Sequence, residues 1–262
     1  MSDLIILIIT GGFAGILAGM LGIGGGILIV PVFVFIFRYQ GIDSEIIMHM
    51  AIGTSLATIV VTSLSSIRAH QAHGAIKWSI AKLMAPSIII GAFIGSAIAD
   101  TLPSDTLRFI FVPFMLLVAV QMAFGRPPEA QRQLPQKLGM SLAGGFIGSL
   151  SSILGIGGGA LNVPFMTFCN VSARNAVATS AAIGFPIAVA GTIGFVISGW
   201  NVSNLPEWSL GYINLKAALS IVIISALTAP LGAKLTHIMP VSLLKKTFAL
   251  LLVIVAIKFI LE

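Results

Sequence analysis

Two glycine clusters are the features of this sequence best suited to bind a small ligand. Each interrupts an apolar run, and each is followed by a proline, Pro31 or Pro164. Consecutive glycines expose bare N–H groups, and a helix that begins just after them adds the positive end of its dipole. This chemistry suits an anion. The candidate residues are Gly24, Gly25, Gly26, Gly157, Gly158 and Gly159.

Polar side chains that could complete such a site follow each cluster. Thr54 and Ser55 after the first cluster match Thr179 and Ser180 after the second. Their hydroxyls could donate to an oxyanion or bond backward to a helical carbonyl, and the sequence leaves both interpretations open. Asn162 stands where the first cluster has Ile29, so its amide is a candidate ligand contact or an interhelical hydrogen-bonding group.

Other chemistries lack the residues that they require. No Asp or Glu falls inside a predicted span, which argues against a buried carboxylate relay. The histidines lie near segment ends, Cys169 is the one cysteine, and no lysine and serine pair follows the last glycine as in a nucleotide-binding loop. We therefore expect no catalytic residue, no metal site and no cofactor, and we predict that the protein is not an enzyme.

The composition identifies the solvent in which these residues must be positioned. The 262 residues are 57% hydrophobic and 8% charged, with a mean hydropathy of +1.08. A soluble domain carries roughly 25% charged residues. Because the apolar residues come in unbroken runs, we predict an all-α polytopic membrane protein.

Ten apolar segments divide into two sets of five. The three later segments of each set are long enough to span, whereas the second of each set is too short, since a span needs about 20 residues. The segments are 4–21, 27–37, 46–67, 79–99 and 106–124, then 138–154, 160–169, 174–198, 213–235 and 243–261.

The two sets form an internal repeat. Residues 11–31, GGFAGILAGMLGIGGGILIVP, align without gaps to residues 144–164, GGFIGSLSSILGIGGGALNVP. Near the end of each half, Gly95 and Pro103 recur at one offset as Gly232 and Pro240. We predict a first transmembrane repeat at 1–125, a linker at 126–137 and a second repeat at 138–262. Small residues spaced for close helix packing are Gly11, Gly15, Gly19, Gly91 and Gly95.

Charge placement predicts that the two repeats are inverted. Placing the basic loops, including the linker, in the cytoplasm leaves mainly acidic loops outside. On this scheme 46–67 runs inward and its mate 174–198 runs outward. Each glycine-rich pair, 4–37 and 138–169, must then enter and leave on one face, either as a re-entrant hairpin or as two short spans.

The paired glycine hairpins, the Gly/Ala-Thr-Ser motif after each and the chain length resemble the sulfite exporter TauE/SafE family, the TSUP transporters. The resemblance covers essentially the whole chain. It implies a multi-pass protein of the cytoplasmic (inner) membrane that moves sulfur-containing anions such as sulfite or sulfonates, often in the export direction.

The residues and the resemblance together predict a secondary transporter in which inverted repeats alternately expose an anion held between the glycine turns. Two alternatives stay open: a gated anion channel, and a membrane subunit that binds without transporting alone. The expected partners are the anion and the lipid bilayer, with a co-moving proton open as coupling ion. Nucleic acid is not expected, and no oligomeric state is assigned.

Overall fold

The computed structural model describes residues 11–12, 15–16, 25–125, 133–235 and 241–261. These residues form nine named helices and one small β-hairpin. The helices are α1 (Gly26–Tyr39), α2 (Ile47–Ala72), α3 (Trp78–Thr101), α4 (Ser104–Phe124), α5 (Lys137–Leu154), α6 (Gly159–Phe168), α7 (Ala173–Ser198), α8 (Leu215–Leu235) and α9 (Val241–Leu261). The strands β1 (Ser209–Leu210) and β2 (Ile213–Asn214) precede α8.

The helices confirm the predicted all-α polytopic architecture. Each apolar segment from 27–37 onward corresponds to one helix, whereas segment 4–21 lies mostly outside the described residues. Among the described residues, six stretches are long and apolar enough to cross a membrane: α2, α3, α4, α5, α7 and Leu215–Gly232 of α8. Large apolar side chains on the outer faces of these helices are more than half exposed, as at Ile90, Leu117 and Ile223, which suits contact with lipid.

The short second segments are short helices. α1 has 14 residues and α6 has 10, so α6 is about 15 Å long, half the thickness of a bilayer core. The positive φ of Gly155 ends α5, and the N–H groups of Gly155 and Ile156 bond the carbonyls of Ser152 and Ser151. This is a Schellman motif, in which a left-handed residue satisfies the last helical carbonyls.

Glycines form two equivalent helix seams. A Cβ on Gly95 of α3 would collide with the carbonyl of Ser149 of α5, and a Cβ on Gly232 of α8 would collide with the carbonyl of Ile16. The predicted packing role is thus confirmed for Gly95, and likewise for Gly11, Gly15 and Gly91; Gly19 lies outside the described residues. Equivalent glycines of the two halves therefore meet equivalent partners.

The β-hairpin was not expected from the sequence. Its strands pair antiparallel, with Ser209 opposite Asn214 and Leu210 opposite Ile213. Gly211 has φ +55°, which a two-residue hairpin turn requires at its first position. The hairpin positions Tyr212 and Asn214 against α2 and α7, where both are buried.

Candidate anion site

The two glycine turns meet in the interior. Gly25 and Gly158 precede α1 and α6 with φ of +76° and +74°. A Cβ on Gly26 would collide with the Gly155 carbonyl and would lie 2.9 Å from the Cα of Ile156. The start of α1 therefore packs directly against the second glycine turn. Gly24 lies outside the described residues, and the other predicted glycines are all buried.

The beginning of α6 provides unsatisfied backbone donors. The first N–H groups of a helix have no acceptor within it, and Gly158 has no side chain that could cap them. Leu161 and Asn162 are the first residues whose N–H groups bond back, both to the Gly158 carbonyl. The N–H groups of Gly159 and Ala160 thus point out of the helix end, together with its positive dipole.

Three buried side chains, two of them beside this helix end and the third next in sequence at the end of α5, have polar atoms without hydrogen-bond partners. Asn162, Ser151 and Ser152 are each 0% exposed. Neither the Oδ1 nor the Nδ2 of Asn162 is bonded, and both serine Oγ atoms lack partners. An unpaired buried polar group costs on the order of 1–3 kcal/mol. Two such groups at one helix end, on Asn162 and Ser151, indicate a site built for a polar ligand.

The geometry places two of these groups around one point. The position that a Cβ on Gly158 would take lies 2.8 Å from Asn162 Nδ2 and 3.3 Å from Ser151 Oγ. The Cδ1 of Ile187 lies 2.5 Å from the same position, so an apolar wall from α7 faces the donors. Ser152 Oγ is directed toward Gly191 of α7, 3.0 Å from where a Cβ would sit there.

Ser151 and Ser152 were not predicted from the sequence, although the aligned repeats contain the signal. The first repeat has Ala18, Gly19 and Ile29 where the second has Ser151, Ser152 and Asn162. Only the asparagine was singled out as a departure from symmetry. These three polar replacements fall in the second repeat, as does a fourth, Ser149 in place of Ile16.

The two predicted serines lie on the α2 and α7 faces that meet the glycine turns. Ser55 Oγ donates to the Gly155 carbonyl at 2.8 Å. Ser180 is 0% exposed and lies one turn before Gly184, where a Cβ would lie 2.7 Å from the Gly157 carbonyl. Ser55 therefore holds the second glycine turn against α2.

The two predicted threonines bond loops. Thr54 Oγ1 accepts the Asn214 N–H at 3.0 Å, and Thr179 Oγ1 accepts the Lys77 N–H at 2.9 Å. Lys77 immediately precedes α3 and Asn214 immediately precedes α8, so the two contacts are equivalent in the two halves. The bonds that these oxygens accept position the next helix, and the predicted role of the hydroxyls as donors to an anion stays a prediction.

The sequence profile described as Sulfite exporter TauE/SafE matches residues 7–259. The chain belongs to this family. A probable membrane transporter protein of Haemophilus influenzae is 36% identical over 99% of this chain and 98% of that protein. Another, from Methanocaldococcus jannaschii, is 30% identical over 88% of this chain and 86% of its own length. No solved structure matches the chain.

Membership of the TauE/SafE family makes this a multi-pass membrane transporter. No group of three or more His, Cys, Asp or Glu side chains that could hold a metal ion occurs within the described ranges. The donors around Gly158 are amide, hydroxyl and backbone N–H groups, which carry no full charge.

The two ends of this TauE/SafE protein differ in charge. The end where α2 begins and α3 ends, which we call the mixed end, carries acids and bases. The opposite end, the basic end, carries Arg68, Lys77, Lys82, Lys137, Arg174 and Lys234, and none of the described acidic residues. The described acids of the mixed end are Asp43, Glu45, Asp100, Asp105 and Glu207.

Aromatic residues close the bundle at the mixed end. The rings of His49 and Tyr212 stack with centroids 5.0 Å apart, and Phe195 contacts Tyr212 edge-on at 6.3 Å. His49 Nε2 lies 3.0 Å from the Ala99 carbonyl. Burial, together with the nearby Asp100 carboxylate, raises the pKa of Tyr212 to about 12, so its phenol stays neutral. We call His49, Phe195 and Tyr212 the aromatic plug.

Proposed function

We propose that this protein is a secondary transporter that exports a small sulfur-containing anion, sulfite or a sulfonate, across the cytoplasmic membrane. The observation that carries the proposal is the set of unpartnered donors at the start of α6. The Asn162 amide, the Ser151 hydroxyl and the first N–H groups of α6 converge on a buried glycine turn.

The donor set favours an anion over a cation. An oxyanion has several acceptor oxygens and needs donors at more than one of them. Amide, hydroxyl and helix N-terminal N–H groups supply these without a full positive charge, so the anion is bound and can still be released. Asn162 Oδ1 is an acceptor beside these donors, which suits a protonated species such as hydrogen sulfite. A proton carried on the substrate would then couple transport to the proton gradient.

Contacts between the halves support inverted repeats. α1 leaves the paired glycine turns and leads into α2 at the mixed end, whereas α6 leads into α7 beside Lys77 at the basic end. The matched threonine bonds and glycine seams relate the halves. We propose that the two repeats, 1–125 and 138–262, rock against each other around the glycine turns and expose the anion alternately.

The charge difference between the ends supports an orientation. Basic loops are retained in the cytoplasm, so we place the basic end and the 126–137 linker there. A positive cytoplasmic face would also raise the local concentration of an anion awaiting export.

The test is uptake of ³⁵S-sulfite into liposomes that contain only the purified protein. We expect saturable uptake, and we expect Asn162→Ile, which restores the residue of the first repeat, to lower kcat/KM at least tenfold. Ile29→Val, a conservative change at the matching position, is the control and should keep its uptake.

Other outcomes discriminate the alternatives. Uptake that does not saturate and produces single-channel currents would identify a gated anion channel. Binding of sulfite without flux would identify a membrane subunit. Equal uptake by wild type and a folded Asn162→Ile variant would remove the start of α6 as the binding site.

A further inference from the structure

One face of α2 is polar along its second half. Its side chains are buried inside an otherwise apolar membrane-capable helix. They are Thr58, Thr62, Ser63 and Ser66, with exposures of 0%, 1%, 3% and 2%. Ser and Thr are common where helices pack in a membrane bundle, because they can bond their own helix or a neighbour. A buried hydroxyl that makes no such bond needs another explanation.

This polar face continues from the candidate anion site. Successive residues of a helix are turned by about 100°, so Ser55, Thr62 and Ser66 lie within about 40° of one direction. Ser55 bonds the Gly155 carbonyl at the second glycine turn. Ser66 lies about 16 Å further along the helix, two residues before Arg68 of the basic end. The face therefore leads from the glycine turns toward the basic end.

Bonding to the helix's own carbonyls accounts for only part of this face. Thr58 Oγ1 donates to the Ser55 carbonyl at 2.6 Å, and Thr62 Oγ1 lies 3.3 Å from the carbonyls of Thr58 and Ile59. Such bonds let a hydroxyl sit in an apolar bundle. Ser66 Oγ is buried and has no partner, so internal bonding leaves it unexplained.

The matching face of α7 is apolar and filled. At the offset that relates Thr54 to Thr179, the mates of Thr58, Thr62 and Ser66 are Ile183, Ile187 and Gly191. The side chain of Leu56 packs against Gly191, with Cδ1 2.8 Å from where a Cβ would be. One turn further, Phe195 of the aromatic plug packs against Gly53. The duplicated scaffold therefore has one polar face and one closed face.

We propose that the α2 face formed by Thr62 and Ser66 lines the path between the anion site and the basic end, while the α7 face formed by Ile183 and Gly191 stays closed. This inference rests on the proposed transport function. It adds the route from the anion site to the basic end and names the residues that line this route.

Cysteine accessibility tests the path. In a Cys169→Ser background, Thr62→Cys and Ser66→Cys are compared with Ile183→Cys, the mate of Thr58, which is 1% exposed. Each is exposed to the anionic, membrane-impermeant reagent 2-sulfonatoethyl methanethiosulfonate, added to right-side-out cells or to inside-out vesicles. Thiols that remain unmodified are counted with a maleimide after unfolding in detergent.

We expect Thr62→Cys and Ser66→Cys to be modified from the basic-end side at least ten times faster than Ile183→Cys. Equal rates at the three positions, or modification only after unfolding, would overturn the path. If the cysteines are modified as expected but the wild-type protein takes up no sulfite, the path is supported and sulfite is excluded as the substrate. If the wild-type protein takes up sulfite but Ser66→Cys is not modified, the protein is a transporter and the proposed path is wrong.

Discussion

Asn162 and Ile29 occupy equivalent positions, and both are 0% exposed. The backbone at this position therefore accepts an apolar side chain without loss of burial. An unpaired amide is costly in a buried position. The asparagine, with Ser151 and Ser152, consequently lowers the stability of the unliganded protein, and a bound anion would restore the missing hydrogen bonds.

Thr54 and Thr179 should matter for stability more than for binding. Thr54→Val and Thr179→Val preserve shape and remove an acceptor from a loop N–H group, so each should cost about 1–2 kcal/mol of stability. Thermal unfolding in detergent measures this loss, and KM for sulfite should stay within twofold of wild type. A tenfold rise in KM without a change in unfolding temperature would instead place the hydroxyls on the substrate.

Gly158 combines an unusual backbone conformation with a crowded surrounding, and Gly41 separates the two effects. Both have φ of +74°, but nothing lies within 4 Å of a Cβ on Gly41. Gly41→Ala should cost about 1 kcal/mol, the usual penalty for left-handed backbone, and retain uptake. Gly158→Ala meets Ile187 and Asn162 as well and should cost more and abolish uptake. Thermal unfolding and uptake check both; similar behaviour of the two variants would show that crowding at Gly158 is unimportant.

At the scale of elements, apolar runs and the repeat predicted each described helix to within a few residues, because burial in lipid demands long apolar helices. The β-hairpin escaped prediction because its strands have two residues each and lack a periodicity. The bonds from Thr54 to Asn214 and from Thr179 to Lys77 also escaped prediction. They join residues more than 100 positions apart, and local pattern does not encode such pairs.

The seam between α3 and α5 offers a test of helix packing. A Cβ on Gly95 would collide with the Ser149 carbonyl, whereas a Cβ on Gly145 would meet its nearest neighbour, the Ser87 carbonyl, at an ordinary 3.7 Å. Gly95→Ala should therefore separate the helices and cost about 1–3 kcal/mol, and Gly145→Ala should be nearly neutral. The temperature of unfolding compares them, and equal effects of the two alanines would contradict a close seam at Gly95.

At the scale of the whole molecule, the duplicated halves share one scaffold and differ in the polar side chains that they carry. The glycine seams and threonine bonds repeat in both halves. The polar side chains do not: the second half carries Asn162 at its turn, and the first half carries Thr62 and Ser66 along its long helix. The sequence predicted that the two halves are equivalent. It could not predict which polar side chains lie close together, because that depends on how the halves pack.

The proposed inversion of the two repeats makes a prediction about sidedness. Each half has a short loop between its short helix and its next long helix, with Gln40 exposed in the first and Ala173 exposed at the end of the second. In inverted repeats these loops lie on opposite faces of the membrane. In a Cys169→Ser background, an impermeant maleimide should label Gln40→Cys in intact cells and Ala173→Cys only in inside-out vesicles. Labelling of both from one face would exclude inversion. If Ala173→Cys is labelled in intact cells and Gln40→Cys only in inside-out vesicles, the repeats are inverted but the basic end lies outside. That orientation would contradict the positive-inside tendency.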